Sequence, residues 1–108
     1  MKNYIWETEE DIDLALARRM QVIRKRRSLS QQQLASMSGV SFGSIKRFET
    51  SGEISLKSLT RIAMALGCTE EIKNLFQEIP YRNINEVVKE TNIAKKAKIK
   101  DQGDDYGR

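Results

Sequence analysis

The sequence predicts an all-α protein built around one compact helical domain. The chain of 108 residues contains one Pro and six Gly, too few breakers for a β-sandwich or a collagen-like chain. Its apolar residues recur at intervals of three and four through successive segments, which is typical of amphipathic helices. A chain of this length supports a single hydrophobic core, so a large multidomain enzyme is excluded.

The first predicted helix runs from Asp11 to Arg27. Its apolar residues recur at the spacing of one helical face: Ile12, Leu16, Met20 and Ile23. We expect that face to enter the core. Arg and Lys side chains occupy the other faces of the segment.

Two short helices follow, separated by a tight turn. Ser30 precedes good helix formers, so we expect it to cap a helix over residues 31–37. Gly39 can adopt the left-handed conformation that ends such a helix. Ser41 then caps a third helix, which ends near Gly52. Two helices joined by so short a turn cannot stack antiparallel and must cross steeply.

Two further helices complete the predicted domain, which Pro80 closes. Ser55 caps the fourth helix and Gly67 ends it, and its expected apolar face consists of Leu56, Leu59, Ile62, Ala63 and Leu66. Thr69 caps the fifth, whose expected apolar face consists of Ile72, Leu75 and Phe76. Glu70 and Glu71 lie in its first turn, where they favour the positive end of the helix dipole.

Four segments are therefore expected: an N-terminal arm at 1–10, the domain at 11–80, a helical extension at 81–97 and a flexible tail at 98–108. The apolar residues of the extension are Ile84, Val87 and Val88. They offer too little area to fold alone, so the extension should pack on the domain, on a second subunit or on another protein. The apolar residues of the arm also need a surface to pack on, either the core or a dimer interface. They are Tyr4, Ile5 and Trp6.

The charge of the chain is unevenly distributed. The formal net charge is +4, yet residues 1–13 carry one Lys and five acids, and residues 14–27 carry six Arg or Lys and no acid. Such a basic block fits an anionic partner or a solvated helix face. A membrane surface is disfavoured because no Trp or Phe lies opposite the basic face, and RNA is disfavoured because aromatic stacking platforms are lacking.

The sequence lacks most of the residue types that catalytic sites use. There is no His and a single Cys, Cys68, which excludes Cys/His zinc sites, disulfides within one chain and imidazole bases. We expect no enzyme activity, cofactor, metal or small-molecule ligand. Acids stand near the N-terminus where a signal peptide needs an apolar core, and no run of eighteen apolar residues occurs, so we expect a cytoplasmic protein that binds no membrane.

The informative segment is residues 31–50, QQQLASMSGVSFGSIKRFET. Ala35 is small enough for two helices to approach, Gly39 makes the turn, and the residues expected to fill the crossing are Leu34, Val40, Ile45 and Phe48. This is the arrangement of a helix-turn-helix. Met20, Met37 and Met64 are interpreted as core residues that fill gaps rather than as a ligand set.

Through LSQQQLASMSGVSFGSIKRFE and SLKSLTRIAMALG, the chain resembles the Cro/C1-type helix-turn-helix regulators of the XRE family, from about Leu14 to Phe76. The resemblance implies a five-helix lambda-repressor-like domain, here with a C-terminal helical extension. Ser38 departs from the prototypes, which carry an apolar residue there. The resemblance also implies a repressor that binds a palindromic DNA operator as a homodimer. The alternative is an antitoxin of the HipB type, which represses its own promoter and binds a protein toxin.

The third helix of such a domain enters the major groove, so its outward residues are the expected base contacts: Ser41, Phe42, Gly43, Ser44, Lys46 and Arg47. Arg47 suits guanine and Phe42 suits a thymine methyl. Gly43 indicates either that the helix backbone approaches DNA closely there or that a glycine is simply tolerated in the first turn.

Other residues are expected to bind phosphates or to hold the fold. The family places a Gln at the start of the second helix against a phosphate, which Gln31 matches. Weaker phosphate candidates are Ser30, Thr50, Ser51 and Lys57. The resemblance also pairs Arg24 with Glu49 as a structural salt bridge, whereas Arg26 and Arg27 are either solvated or bound to phosphate.

Overall fold

The computed structural model describes residues 6–104, with side chains over residues 6–97. Six helices follow one another in that part of the chain: α1 (Glu9–Arg26), α2 (Gln31–Ser38), α3 (Phe42–Ser51), α4 (Leu56–Ala65), α5 (Thr69–Lys73) and α6 (Ile84–Asp104). No strand occurs among the described residues, which confirms the predicted all-α class. None of the described helices is both long enough and apolar enough to cross a bilayer.

The chain divides into two units at the junction between Leu75 and Phe76. The first unit contains α1 to α5, and the second contains α6. The junction lies before Pro80, where the sequence placed the end of the domain. In the first unit, α1 packs against α3, both α3 and α4 pack against α2, and α5 packs against α4.

Helix α1 begins two residues before the predicted start because Thr8 forms a capping box. The Thr8 hydroxyl accepts the Asp11 backbone N–H at 3.1 Å, and the Asp11 carboxylate accepts the Thr8 N–H at 3.1 Å. These reciprocal bonds satisfy two donors that the first turn would otherwise leave free. The acidic first turn and the basic last turn both match the helix dipole.

The buried face of α1 differs from the predicted one. Ala17, Met20 and Arg24 face the core, whereas Ile12 and Leu16 are 54% and 41% exposed. The prediction was wrong for these two residues because helical spacing alone allows two stripes on this segment. Close packing of α1 on α3 selects the stripe that contains the small Ala17 and the pairing residue Arg24.

The two caps around the tight turn form as predicted. Ser30 caps α2 and Ser41 caps α3, each accepting a backbone N–H three residues along the chain. Gly39 ends α2 in the left-handed region with φ of 74°. The hydroxyl of Ser38 accepts the Val40 N–H at 3.2 Å, so this polar departure from the family pattern helps to close the turn.

The C-terminus of α3 is held tightly against α1 by Gly52. This glycine is buried, with φ of 81°, and a Cβ built on it would lie 2.8 Å from Asp13 Cβ and 2.9 Å from the Asp13 carbonyl carbon. Contacts below 3.0 Å essentially never occur for real Cβ atoms. The close approach and the left-handed backbone therefore both require glycine.

The core lies where α1 to α4 meet. Its largest fully buried side chains are Phe48, Leu34, Ile45 and Ile62. Val40 and Leu66 are also buried, and Ala35 packs partly buried against the cluster. The predicted plugs of the helix crossing are thus confirmed.

Besides Ile12 and Leu16, three more predicted core residues are exposed. Met37, Leu56 and Met64 are 57%, 70% and 59% exposed, so of the three methionines expected in the core only Met20 is buried. Met64 lies two residues from both Ile62 and Leu66 and so points away from them on α4. Met37 lies in the last turn of α2, one turn beyond the buried Leu34. Leu56 is the first residue of α4, before the turn that packs on the core.

Helix α5 is shorter than predicted, and Thr69 does not cap it. Cys68 occupies the N-cap position and makes no side-chain capping bond. Leu75 and Phe76 lie beyond the helix and are 56% and 79% exposed, so the predicted apolar face retains only the half-buried Ile72. The reason is that the helix ends at Lys73 and Phe76 adopts a left-handed φ of 64°.

Helix α6 forms most of the second unit. Its backbone stays helical to Asp104, past the boundary expected at residue 97, because no helix breaker precedes Gly103. The remainder of the predicted flexible tail, residues 105–108, lies outside the described residues, as do Tyr4 and Ile5 of the arm. Trp6 is 74% exposed.

Candidate nucleic-acid interface

Helix α3 has a buried back and an open front. Its back consists of Ile45, Phe48 and Glu49, all buried. Every residue predicted to contact bases is exposed on the other side: Ser41, Phe42, Gly43, Ser44, Lys46 and Arg47. The structure therefore brings the whole predicted set onto one surface.

Two hydroxyls lie together at the N-terminus of α3. Ser41 accepts the Ser44 backbone N–H at 3.1 Å and donates its hydroxyl proton to Ser44 Oγ at 2.8 Å. The Ser44 hydroxyl is left able to donate outward. A hydroxyl in this position can donate to or accept from a base edge.

Phe42 and Lys46 form a mixed apolar and cationic patch one turn along α3. Phe42 is 40% exposed, and the Lys46 ammonium lies 5.9 Å from the centroid of its ring. This distance fits a cation–π contact. The patch can cover an apolar group with the ring while the ammonium faces an anion.

Arg47 is paired with an acid that the sequence analysis did not single out. Its Nη2 donates to Glu53 Oε1, and the two side chains are 71% and 61% exposed. Ser51 fixes the geometry, since its hydroxyl donates to the Arg47 carbonyl at 2.7 Å and accepts the Glu53 N–H at 3.2 Å. Glu53 follows the glycine that ends α3, six residues after Arg47, and no local spacing in the sequence indicates that the two would pair.

Most of the predicted phosphate contacts are engaged within the protein. Ser30 forms a capping box with Gln33, and Gln31 Nε2 donates to Glu49 Oε1 at 2.8 Å. Thr50 and Ser51 donate their hydroxyl protons to carbonyls of α3. Lys57 is exposed in the first turn of α4.

Arg24 and Glu49 form a bidentate pair in the interior. Arg24 Nε donates to Glu49 Oε2 at 2.7 Å and Nη2 donates to Oε1 at 2.9 Å, while Nη1 donates to the Leu29 carbonyl at 2.7 Å. The two residues are 7% and 8% exposed. With the bond from Gln31, one carboxylate links α1, α2 and α3 and fixes the tilt of the open face.

The pKa of Glu49 reflects these contacts. Burial alone would raise the pKa of this carboxyl, but hydrogen bonds from Arg24 and Gln31 and the charge of Arg24 outweigh burial and lower it below its usual 4.5. Glu49 is therefore ionised at neutral pH, as a partner of the buried guanidinium must be.

The basic residues at 14–27 differ in their surroundings: some bond to other parts of the protein and others only face solvent. Arg27 Nε donates to the Leu66 carbonyl at 2.6 Å, where it caps the C-terminus of α4. This contact gives Arg27 a structural role, while the residue as a whole stays exposed. Arg18, Arg19 and Arg26 are exposed and line a shallow groove with Val22 and Ile23.

A comparison with protein families matches this region. The family model described as helix-turn-helix, HTH_3, covers residues 20–73, which is half of the chain. The match begins within α1, ends with α5 and includes the pair of helices around Gly39. Searches of curated proteins and of solved structures return no match.

Proposed function

Because the chain belongs to the helix-turn-helix family of Cro/C1-type DNA-binding regulators, we propose that it is a cytoplasmic repressor that binds a palindromic operator as a homodimer. The observation that carries the proposal is the open front of α3. An α-helix fits the major groove of B-DNA, and side chains of its first turns reach the base edges. Six exposed residues of α3 and its cap are available for this task.

Arg47 is the proposed reader of guanine. To reach a base it must leave Glu53, and both partners of that ion pair are exposed to solvent. An exposed pair is worth about 0 to 1 kcal/mol, whereas a bidentate Arg–guanine contact provides about 1 to 3 kcal/mol of discrimination. The exchange therefore favours a site that presents guanine.

Serine and phenylalanine side chains extend the proposed readout. Ser44 can bond to either strand, and Phe42 can cover a thymine methyl while Lys46 turns to the neighbouring phosphate. Gly43 has open space around its Cβ position in the free protein, so nothing within the chain requires glycine there. We infer that the groove comes close to this part of α3.

Phosphate binding is assigned to the helix N-termini and to exposed cations. Gln31 stands at the N-terminus of α2, and its amide carries a second N–H beyond the one given to Glu49. Lys57 occupies the first turn of α4. Ser30, Thr50 and Ser51 are weaker candidates because each already bonds to its own backbone.

The test is selection of a preferred duplex from a randomised library, followed by affinity measurements with variants. Arg47→Ala is expected to lose about 1 to 3 kcal/mol at one operator position. Lys57→Ala, the matched control, is expected to weaken selected and random duplexes alike. Equal losses on both duplexes for Arg47→Ala would remove it as a base reader, and a wild-type chain that enriches no sequence would refute the proposed function.

An antitoxin of the HipB type is the second candidate, and the exposure of α6 favours it. Ile84, Val88 and Ile93 are 70%, 52% and 60% exposed. An apolar helix surface of this kind is suited to a protein partner. Co-purification of a neighbouring gene product that binds through α6, and is released by Val88→Asp, would support this candidate over a free-standing repressor.

A further inference from the structure

Helix α6 carries lysines and asparagines in a line along one of its faces. The line consists of Asn85, Lys89, Asn92 and Lys96, which follow one another at alternating intervals of four and three residues. Residues at these intervals are neighbours on the surface of a helix. All four side chains are exposed. We call this line the Lys–Asn face.

The apolar residues of α6 lie on a different face. Ile84 and Val88 are one turn apart, and Lys95 continues their line two turns later. Lys95 and Lys96 are adjacent in the chain, so their side chains leave the helix about 100° apart. The two lysines therefore carry the same charge at the same height on the helix, and only Lys96 belongs to the Lys–Asn face.

The acids of α6 bond to the segment that precedes the helix. Glu86 accepts the Arg82 backbone N–H at 2.7 Å, and Glu90 accepts the Tyr81 hydroxyl. Neither carboxylate pairs with a lysine of α6, and the Lys–Asn face makes no side-chain hydrogen bond or ion pair within residues 6–97. No group in that range therefore competes with an external acceptor for these ammonium and amide groups.

The spacing of the Lys–Asn face suits a phosphate backbone. Lys89 and Lys96 are seven residues apart, which corresponds to about 10 Å along a helix. The phosphates of one DNA strand succeed one another at about 3.4 Å along the duplex axis, so the two ammonium groups can reach separate phosphates. Asparagine amides also donate to phosphate oxygens, and Asn92 lies between the two lysines.

A duplex fits this face better than a lipid surface does. A helix that lies on a membrane buries a broad apolar face, in which Trp, Phe and Leu are typical. The sequence of α6 contains none of these three residues. The combination of lysines, amides and a narrow apolar face is therefore better matched to the backbone of a nucleic acid.

We propose that the Lys–Asn face of α6 is a second DNA-binding surface, on which Lys89 and Lys96 hold the phosphate backbone of a duplex. The inference rests on the proposed function and deepens it, because it assigns a surface of the second unit to the same partner. Contacts with phosphates carry no base preference, so this surface adds affinity without adding specificity. The face around Val88 stays available to another protein.

Binding of the full chain to a random-sequence duplex at several salt concentrations tests the proposal. Lys89→Gln and Lys96→Gln each remove one phosphate contact, so each is expected to lower the magnitude of the slope of log K against log salt by about 1 for every bound chain. Lys95→Gln is the matched control, because it removes the same charge from another face, and its slope is expected to equal that of the wild type. Fluorescence anisotropy gives the affinities, and far-ultraviolet circular dichroism checks that each variant is folded.

An added negative charge supplies a second measurement on the same duplex. Asn92→Asp places a carboxylate between the two lysines, where it would repel phosphates, so binding is expected to weaken. Ala94→Asp adds the same charge on another face of α6 and is expected to weaken binding less. Vesicles that contain phosphatidylserine form a separate arm, in which the wild type is expected not to bind.

Three outcomes would overturn the proposal. Equal falls in slope for Lys95→Gln and Lys96→Gln would show that only net charge matters. Unchanged slopes for Lys89→Gln and Lys96→Gln would remove the phosphate contacts, and vesicle binding that these two variants abolish would assign the face to lipid. Failure of the proposed function is recognised separately, as the absence of any enriched sequence in the library selection, and none of these three outcomes depends on that selection.

Discussion

Glu49 accepts hydrogen bonds from two other helices, and its carboxylate balances the buried charge of Arg24. Replacing it with Gln preserves the shape of the side chain but leaves the guanidinium buried without a counter-charge. We expect Glu49→Gln to lower the free energy of unfolding by about 3 to 5 kcal/mol. Urea denaturation followed by circular dichroism measures the change.

The matched control removes both charges at once. The double variant Arg24→Met with Glu49→Leu leaves no isolated buried ion, and replacing a buried pair by apolar residues is often neutral or stabilising. We expect it to be more stable than Glu49→Gln. If the double variant proved the less stable of the two, the charge balance at this site would not be the source of the loss.

The same carboxylate predicts how stability depends on pH. The unfolded chain protonates Glu49 near 4.5, while the folded chain protonates it only at lower pH, so the unfolded state takes up the proton first. Stability from this group is therefore complete above pH 4.5 and is lost as pH falls through the lowered folded pKa. The difference in unfolding free energy between wild type and Glu49→Gln should shrink over that interval and stay constant near neutral pH.

Glu53 places a negative charge beside the proposed guanine reader. Glu53→Gln releases the Arg47 guanidinium and removes a carboxylate that phosphates would repel, so affinity for a random duplex is expected to rise about three- to tenfold. Glu70→Gln is the control, because Glu70 forms an exposed pair with Lys73 on α5 and carries the same charge. Equal effects of the two variants in fluorescence anisotropy would show that only net charge matters.

Among the structural elements, the two turns that flank α3 differ in how strictly they need glycine. Gly39 and Gly52 are both left-handed, but a Cβ meets nothing within 4 Å at Gly39 and meets the α1 backbone at Gly52. We expect Gly39→Ala to cost about 1 to 2 kcal/mol and Gly52→Ala to cost more, because α3 must also move away from α1. Thermal unfolding of the two variants gives the comparison, and equal losses would contradict close packing at Gly52.

Elements held by local contacts could be predicted from the sequence, whereas those fixed by packing could not. The caps at Ser30, Ser41 and Ser55 depend on hydrogen bonds three residues apart, which a sequence displays directly. The buried face of α1 depends on which of two stripes meets α3. That choice is made by side chains distant in sequence, so the exposure of Leu16 was not predictable.

The candidate site follows the same division. The exposed residues of α3 could be placed because the helix-turn-helix spacing fixes which side faces inward. The Arg47–Glu53 ion pair and the hydrogen bond from Gln31 to Glu49 could not be predicted from the sequence, because each joins residues across a turn or between helices. The bond from Arg27 to the Leu66 carbonyl could not be predicted either, because the two residues are far apart in the sequence.

For the whole molecule, most of the positive charge lies outside the segment proposed to contact bases. We therefore expect the affinity for DNA to depend strongly on salt concentration. The exposed arginines of α1 with Lys46 and Lys57 supply positive charge, while no charged residue occurs from Ser28 to Ile45. If each subunit neutralises about four phosphates, the slope of log K against log salt for the dimer should approach roughly −7. Titrations of one duplex at several salt concentrations measure the slope, and a value near zero would exclude phosphate steering.

The two-sided construction of α3 also separates what the protein recognises from what keeps it folded. The back of the helix is secured by Phe48 and by the Arg24–Glu49 pair, and none of the front positions belongs to the core cluster. Randomising Phe42, Ser44, Lys46 and Arg47 together should therefore yield a library whose members mostly fold. The chain would then be a starting framework from which binders of new duplex sequences can be evolved without stability being rebuilt at each step.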